Sequence, residues 1–149
     1  MLYVLCRIGR DAYAISSGAV ERVLPFAAIK ALPGGVRGLT GLLNYQGTSI
    51  PVVDLCLLLA GTPARELAGT RLLLCPVEGL RNGRIALLVE HVSDVVRLNE
   101  EDFRPAGAAG DECLGGVANR SGELIQRIEV PQILPAEVLS SLDLSLEFT

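Results

Sequence analysis

The chain has 149 residues, half of them hydrophobic, with a formal net charge of −4 and a pI near 5.0. That length suits one compact domain or two small barrels sharing an interior. It carries no basic run, and Lys30 is its sole lysine; this excludes a nucleic-acid binder, which needs clustered cations to neutralise phosphates.

Residues Leu2, Val4, Cys6 and Ile8 alternate with Tyr3, Leu5 and Arg7, the period of a strand. Gly9, Arg10 and Asp11 turn the chain, and Ala12 to Ser16 complete a hairpin. Gly18 to Leu24 continues extended until Pro25 removes a backbone donor. Phe26 to Arg37 reads as a loop with a short helical turn, broken by Pro33, Gly34 and Gly35. Leu39 to Tyr45 and Thr48 to Val53 are strands joined by Gln46-Gly47, with Pro51 expected at a bulge or a sheet edge. Asp54 caps a short helix over Leu55 to Ala60 that Gly61 ends. Thr62 to Gly69 is a polar connector, expected to be the most mobile segment.

Arg71 to Val77 and Arg84 to Glu90 flank Asn82-Gly83, a hairpin signal. Val92 to Leu98 is a further strand, and Asn99 caps a turn through Asp102 and Phe103. Val117 to Asn119 and Leu124 to Ile128 form a last hairpin around Ser121-Gly122. Pro131 can open a C-terminal helix, or Pro135 a separate one over Glu137 to Leu142. Eight to ten short strands with frequent turns and few helices argue for an all-β chain of closed barrels. With aromatics at 4% and no Trp, its interior must be built from Leu, Val, Ile and Ala.

No apolar stretch approaches the roughly 20 residues that span a bilayer. The opening MLYVLCRIGRD is too short for a secretory leader and lacks its basic start and cleavage site. A cytoplasmic protein is expected, without direct membrane insertion. Cys6, Cys56, Cys75 and Cys113 are widely spaced and sit in apolar segments, so they are expected as reduced core thiols rather than metal ligands or disulfides.

Catalytic groupings are sparse. The single His91 lies beside Glu90 and near Asp94, where it reads as a solvated turn residue rather than a general base. Glu100-Glu101-Asp102 and Asp111-Glu112 read as surface acids, since adjacent carboxylates in a turn do not face one another across a cleft. Gly34-Gly35 and Gly115-Gly116 lack the lysine of a phosphate loop and the strand–helix setting of a dinucleotide fingerprint. The expectation is no enzyme activity, no metal and no cofactor.

The stretch Val36 to Leu55, VRGLTGLLNYQGTSIPVVDL, resembles the signature of CheW-like coupling domains: a Gly, an apolar run, Asn-Leu-Arg-Gly, then Pro-Val-x-Asp-Leu. Gly9-Arg10-Asp11-Ala12-Tyr13-Ala14-Ile15 resembles that family's opening turn and strand. Val89 to Val96, followed by Phe103-Arg104-Pro105-Ala106, resembles its second landmark, and Gly115-Gly116-Val117 fits its ending. Asn44, Gly47, Pro51 and Asp54 are the structural part of the signature. The resemblance implies one domain over 1–149 built as two five-stranded SH3-like barrels around a shared core. Their approximate extents are 12–65 for the first and 69–130 with 1–9 for the second, followed by a C-terminal helix over 131–142.

It further implies a non-catalytic adaptor held at membrane-associated receptor arrays through its partners. Those partners are the cytoplasmic tip of a methyl-accepting chemoreceptor, the regulatory domain of a CheA-type histidine kinase, and other CheW-like proteins. Carried over by position, the receptor- or kinase-binding candidates are Val20, Arg22, Val23, Gly41, Gln46, Ala86, Val92 and Val95. Two departures stand out: Gln46 replaces the motif's Arg, and Arg22 stands where the family favours an acid. Gln126 and Arg127 interrupt a strand that is usually apolar. These changes imply an accessory or specialised member with altered partner choice. The competing expectation is a small barrel module that binds a small molecule or another protein in the groove between barrels.

Overall fold

Four segments of the chain, LYVLCRI, DAYAIS, RLLLCP and RIALLV, are apolar nearly throughout, although a strand with one wet face would alternate. The computed structural model, which describes residues 1–31, 38–78, 83–105 and 114–133, shows why: each is a strand covered on both faces. They are β1 (Leu2–Ile8), β2 (Asp11–Ser16), β7 (Arg71–Pro76) and β8 (Arg84–Val89). Between and after them come β3 (Arg22–Pro25), β4 (Lys30–Ala31), β5 (Leu39–Tyr45), β6 (Thr48–Asp54), α1 (Leu55–Ala60), β9 (His91–Arg97), β10 (Leu114–Arg120), β11 (Glu123–Ile128) and α2 (Val130–Ile133).

The strands form a five-stranded sheet, ordered β10-β11-β2-β1-β9, and a six-stranded sheet, ordered β3-β7-β8-β6-β5-β4. Most neighbours are antiparallel; β11 with β2 and β6 with β8 are parallel. Just after β9, Arg104 exchanges two backbone hydrogen bonds with Val117 of β10, at 2.9 and 2.8 Å, which brings the two ends of the first sheet together. In the second sheet only residues 26–29 separate edge strands β3 and β4, and Leu24, Phe26 and Ile29 pack into its interior.

Three apolar layers result. Tyr3, Leu5, Ala12, Ala14, Val96 and Ile125 fill the five-stranded barrel. Leu43, Ile50, Val52, Leu72, Leu74, Ala86 and Leu88 fill the six-stranded one. The opposite faces of the same strands meet in a shared layer containing Cys6, Ile8, Tyr13, Ile15, Leu73, Cys75, Ile85, Leu87, Val89 and Ile128. Successive residues of a strand point to opposite faces, so Leu72 and Leu74 enter one core while Leu73 and Cys75 enter the other.

The sheets depart from the sequence expectation at four places. The second sheet has six strands, because Lys30 and Ala31 pair with Leu42 and Gly41; two residues are too few to show a strand period in sequence. The sheets do not divide the chain at 12–65 against 69–130. Strand β2 stays beside β1 in the five-stranded sheet, and β7 and β8 join β6 in the other. Pro51 lies in neither a bulge nor an edge strand: β6 is flanked by β8 and β5. Counted from the Gln46-Gly47 turn, Leu42↔Pro51 is a pair that exchanges no N–H···O bonds, and the ladder to β8 begins at Val52, so the missing donor is not needed. The bulge falls instead in β5, between Leu39 and Gly41. Finally, the 62–69 connector is tied down by buried carboxylates, as described below. Cys113, Asp111-Glu112, Pro33 to Gly35, Asn82 and the expected helix beyond Ile133 lie outside the described residues.

Two positions in the β5–β6 hairpin rest on backbone geometry. At Gly41 a Cβ would collide with the Lys30 carbonyl oxygen and with Ile29 Cγ2. Gly41→Val is expected to lower stability by about 2–3 kcal/mol through overpacking, read as a fall in urea midpoint. At the tip, Gln46 and Gly47 both have positive φ, 51° and 85°, and Asn44 Oδ1 accepts a hydrogen bond from Gly47 N at 3.0 Å. The paired positive values suit Asn-Gly better than Gln-Gly, so Gln46→Asn is expected to raise stability by about 0.5 kcal/mol, measured by thermal denaturation.

Candidate functional site

Residues opposite one another in an antiparallel ladder share a face, so register shows which predicted site residues gather. Val23 pairs with Leu73, a member of the shared layer, and is 42% exposed on the edge strand β3. Val92 pairs with Cys6, also of that layer, and packs against it half-buried. Val20, just after the 3-10 turn Ser17–Ala19, packs on the same layer. Val95 pairs with Val4, which stands on the Cys6–Ile8 side of β1, and is 53% exposed. Val20 and Val92 thus border the shared layer, and Val23 and Val95 are exposed on strand faces that continue from it, one in each sheet.

Two rim residues escaped the sequence reading. Leu2, 42% exposed, and Arg97 pair with each other on the side of β1 and β9 that carries Val95. Their membership depends on strand pairing across most of the chain, which periodicity does not give. Met1, 67% exposed, stands on the other side of the sheet: it pairs with Leu98, and its Sδ accepts from Ser16 Oγ.

The remaining candidates lie elsewhere. Ala86 is fully buried in the six-stranded barrel, paired with Val52 and Leu74. Gly41 is buried beneath β4. Arg22 is exposed but pairs with Leu74, so it faces away from Val23, and Gln46 is exposed at a hairpin tip. Asp54, 2% exposed, accepts hydrogen bonds from Leu57 N at 3.1 Å and Ala64 N at 2.8 Å.

His91 is exposed at the start of β9, its ring lying against Gly69. Its neighbours are engaged elsewhere. Glu90 turns to Arg65, and Asp94 Oδ1 accepts from Val95 N at 2.8 Å, covering an edge amide. Burial pushes the thiols of Cys6, Cys56 and Cys75 up to about 12, so each remains a protonated hydrophobe at neutral pH. Among the described residues, no group of His, Cys, Asp and Glu is arranged to hold a metal ion, and no helix is long and apolar enough to cross a membrane.

Arg127, which interrupts the apolar pattern of β11, acts as a clamp. Its Nη1 donates to Glu100 Oε2 at 2.6 Å, its Nε donates to the Gly115 carbonyl at 2.8 Å, and its guanidinium stacks 4.3 Å above Phe103. Phe103 in turn packs against Tyr3 at 5.3 Å. The segment that returns from β9 to β10 is thereby fixed to the barrel wall.

A cleft of about 360 Å³ opens beside α1, lined by Ile8, Gly9, Cys56, Ala60, Thr62, Pro63, Arg65 and Glu90. Its two charged groups neutralise each other. Glu90, 8% exposed, accepts hydrogen bonds from Arg65 N at 2.8 Å and Arg65 Nε at 3.0 Å. Thr70 Oγ1 donates to the Arg65 carbonyl at 2.7 Å and accepts from Leu67 N at 2.8 Å. Asp54 and Glu90 thus hold the connector from below. The Arg65 guanidinium and the surrounding N–H groups hold the Glu90 carboxyl below its ordinary 4.5, outweighing the effect of burial. A depressed carboxyl stabilises fully above its unfolded value and ceases to do so as pH falls through the lower folded one. Glu90→Gln is therefore expected to lose about 1–3 kcal/mol at pH 7 and to flatten the decline of stability with acid below about pH 4.5. Some slope persists, because Glu100 and Glu123 are shifted the same way by Arg127 and Arg7. Urea titrations of both proteins from pH 7 to pH 3 measure this.

The fold has counterparts in known proteins. The CheW-like domain model matches residues 2–138. Over 135 residues, 88% of this chain and 85% of the relative, the chain is 23% identical to the chemotaxis protein CheW of Rhizobium meliloti (strain 1021). It is 26% identical over 99 residues to a probable chemotaxis protein CheW of Rhizobium etli, covering 66% of this chain and 62% of the relative. The crystal structure of the scaffolding protein TtCheW from Thermoanaerobacter tengcongensis superposes with a TM-score of 0.81 at 18% identity, over 92% of this chain and 89% of that one. With the family model spanning both sheets, this chain belongs to the CheW-like domain family.

Proposed function

We propose that this protein is a non-catalytic scaffold of chemosensory signalling that couples the cytoplasmic tip of a chemoreceptor to a CheA-type histidine kinase. The relatives' names, chemotaxis protein and scaffolding protein, support the pathway. The single observation that supports the docking half is the packing of Val20 and Val92 on one apolar layer, with Val23 and Val95 exposed on the strand faces that continue from it. An apolar ridge of a receptor helix fits such a rim as it fits any helix-binding groove, with side chains three and four apart as anchors. The kinase's regulatory domain takes a separate face, on the barrel that holds most of residues 12–65, and other CheW-like proteins compete for that face. The protein works in the cytoplasm and reaches the membrane-bound array through these partners.

The rim valines differ in how cleanly they test this. Val20 and Val92 pack against the core, so a charge there also costs folding energy. Val23 and Val95 are exposed and avoid that ambiguity. The double variant Val23→Glu, Val95→Glu is expected to keep the wild-type melting temperature. Its affinity for a receptor cytoplasmic fragment is expected to fall at least about tenfold, measured by co-sedimentation or calorimetry. A folded double variant that binds the fragment like the wild type overturns the proposal.

A further inference from the structure

On the shared-layer side of β1 and β9, one strand face emerges from the core in steps. Cys6 is fully buried and its partner Val92 is half-buried. Next come Val4 and Val95, 5% and 53% exposed, and last Leu2, 42% exposed, opposite the exposed Arg97. Met1 and Leu98 exchange both backbone hydrogen bonds, at 3.0 and 3.3 Å. The alternation of an antiparallel ladder then makes Leu2↔Arg97 and Val4↔Val95 pairs without such bonds, whose side chains stand closest together. Leu2 and the aliphatic stem of Arg97 continue the apolar surface begun by Val95, and the guanidinium ends it.

That guanidinium makes no hydrogen bond or ion pair among the described residues. Arg7, Arg65, Arg84 and Arg127, by contrast, each hold a carboxylate. The acids near Arg97 in sequence are committed elsewhere: Asp94 to Val95 N, Glu100 to Arg127 and Asp102 to Asn99 N. An apolar face that ends in an unpaired cation fits a partner that is apolar and then acidic. The spacing says where the acid falls. Residues two apart in a strand are separated by roughly 6.8 Å, and residues four apart on a helix rise by roughly 6 Å. A helix lying along β9 with an apolar side chain over Val95 brings an Asp or Glu four residues away over Arg97.

We infer that Leu2 and Arg97 extend the docking face beyond Val95, and that Arg97 selects a helix carrying a carboxylate one turn from its apolar anchor. This rests on the receptor-docking reading proposed above and adds the chemistry that the partner presents. Arg97 is a specificity residue in that role: its fork accepts a carboxylate bidentately and disfavours a helix with a lysine at that position.

The test measures affinity for a receptor cytoplasmic fragment by calorimetry, with every change made at an exposed side chain. Arg97→Gln is expected to bind about fivefold more weakly at low salt, with the gap from wild type narrowing as salt rises. Leu2→Ser is expected to bind about threefold more weakly. Arg120→Gln removes the same charge beside Glu123, at the Arg7 end of β1, and is expected to bind like wild type. In the fragment, each acid one turn from the apolar ridge is replaced singly by Lys, and one replacement is expected to restore binding to Arg97→Glu. Equal affinities of Arg97→Gln and Arg120→Gln, or no restoration by any replacement, overturn the selection by Arg97. Wild-type affinity in Leu2→Ser overturns the extension of the face. The double variant Val23→Glu, Val95→Glu separates the two ideas. Its loss of binding with Arg97→Gln unaffected leaves the receptor reading standing and sinks this one, whereas wild-type binding by the double variant sinks both.

Discussion

The architecture depends on one constraint: strands β1, β2, β7 and β8 are each buried on both faces. One face of β1 and β2 closes the five-stranded barrel, one face of β7 and β8 closes the six-stranded barrel, and the two remaining faces are pressed together. Each barrel covers one apolar face of the other. The low aromatic content is tolerable for the same reason. Many small aliphatic side chains in three thin layers replace the few large rings that a single thicker core would use.

That arrangement produces an exposed apolar rim as a by-product. A layer between two curved sheets cannot be covered everywhere by the sheets that make it, and at its border the same strand faces that bury Cys6 and Leu73 emerge with Val95 and Val23. The polar groups serve to fix the borders. Asp54 and Glu90 anchor the connector over α1, Arg127 fixes the return from β9, and Asp94 covers the edge amide of Val95. Among the described residues, Asp54, Glu90, Asp94 and Arg127 are thereby used in holding backbone. In the function proposed above, activity resides in the shape and polarity of the exterior.

The hairpins, the Asp54 cap and the Gln46-Gly47 turn were readable because each rests on contacts within a few residues. Asp54 reaches Leu57 N, and Asn44 reaches Gly47 N, over a separation of three residues. The ion pair over α1 was not readable. Glu90 and Arg65 are 25 residues apart, and nothing in either neighbourhood marks them as partners. Arg127 and Glu100, 27 apart, were likewise noticed only as an interruption and as one of three acids. The connector expected to move is instead tied, because its restraints come from residues outside it.

The sequence by itself determined the strands, the turns, the character of the core and the membership of a family, since alternation, turn chemistry and motif order are properties of neighbouring residues. Only the tertiary structure decided which face of each strand meets which. Register separates Val23 from Arg22, and Val95 from Val96, although each pair is adjacent in the chain. A side chain's face follows from pairing between distant strands, and a shift of one residue would exchange the rim for the interior.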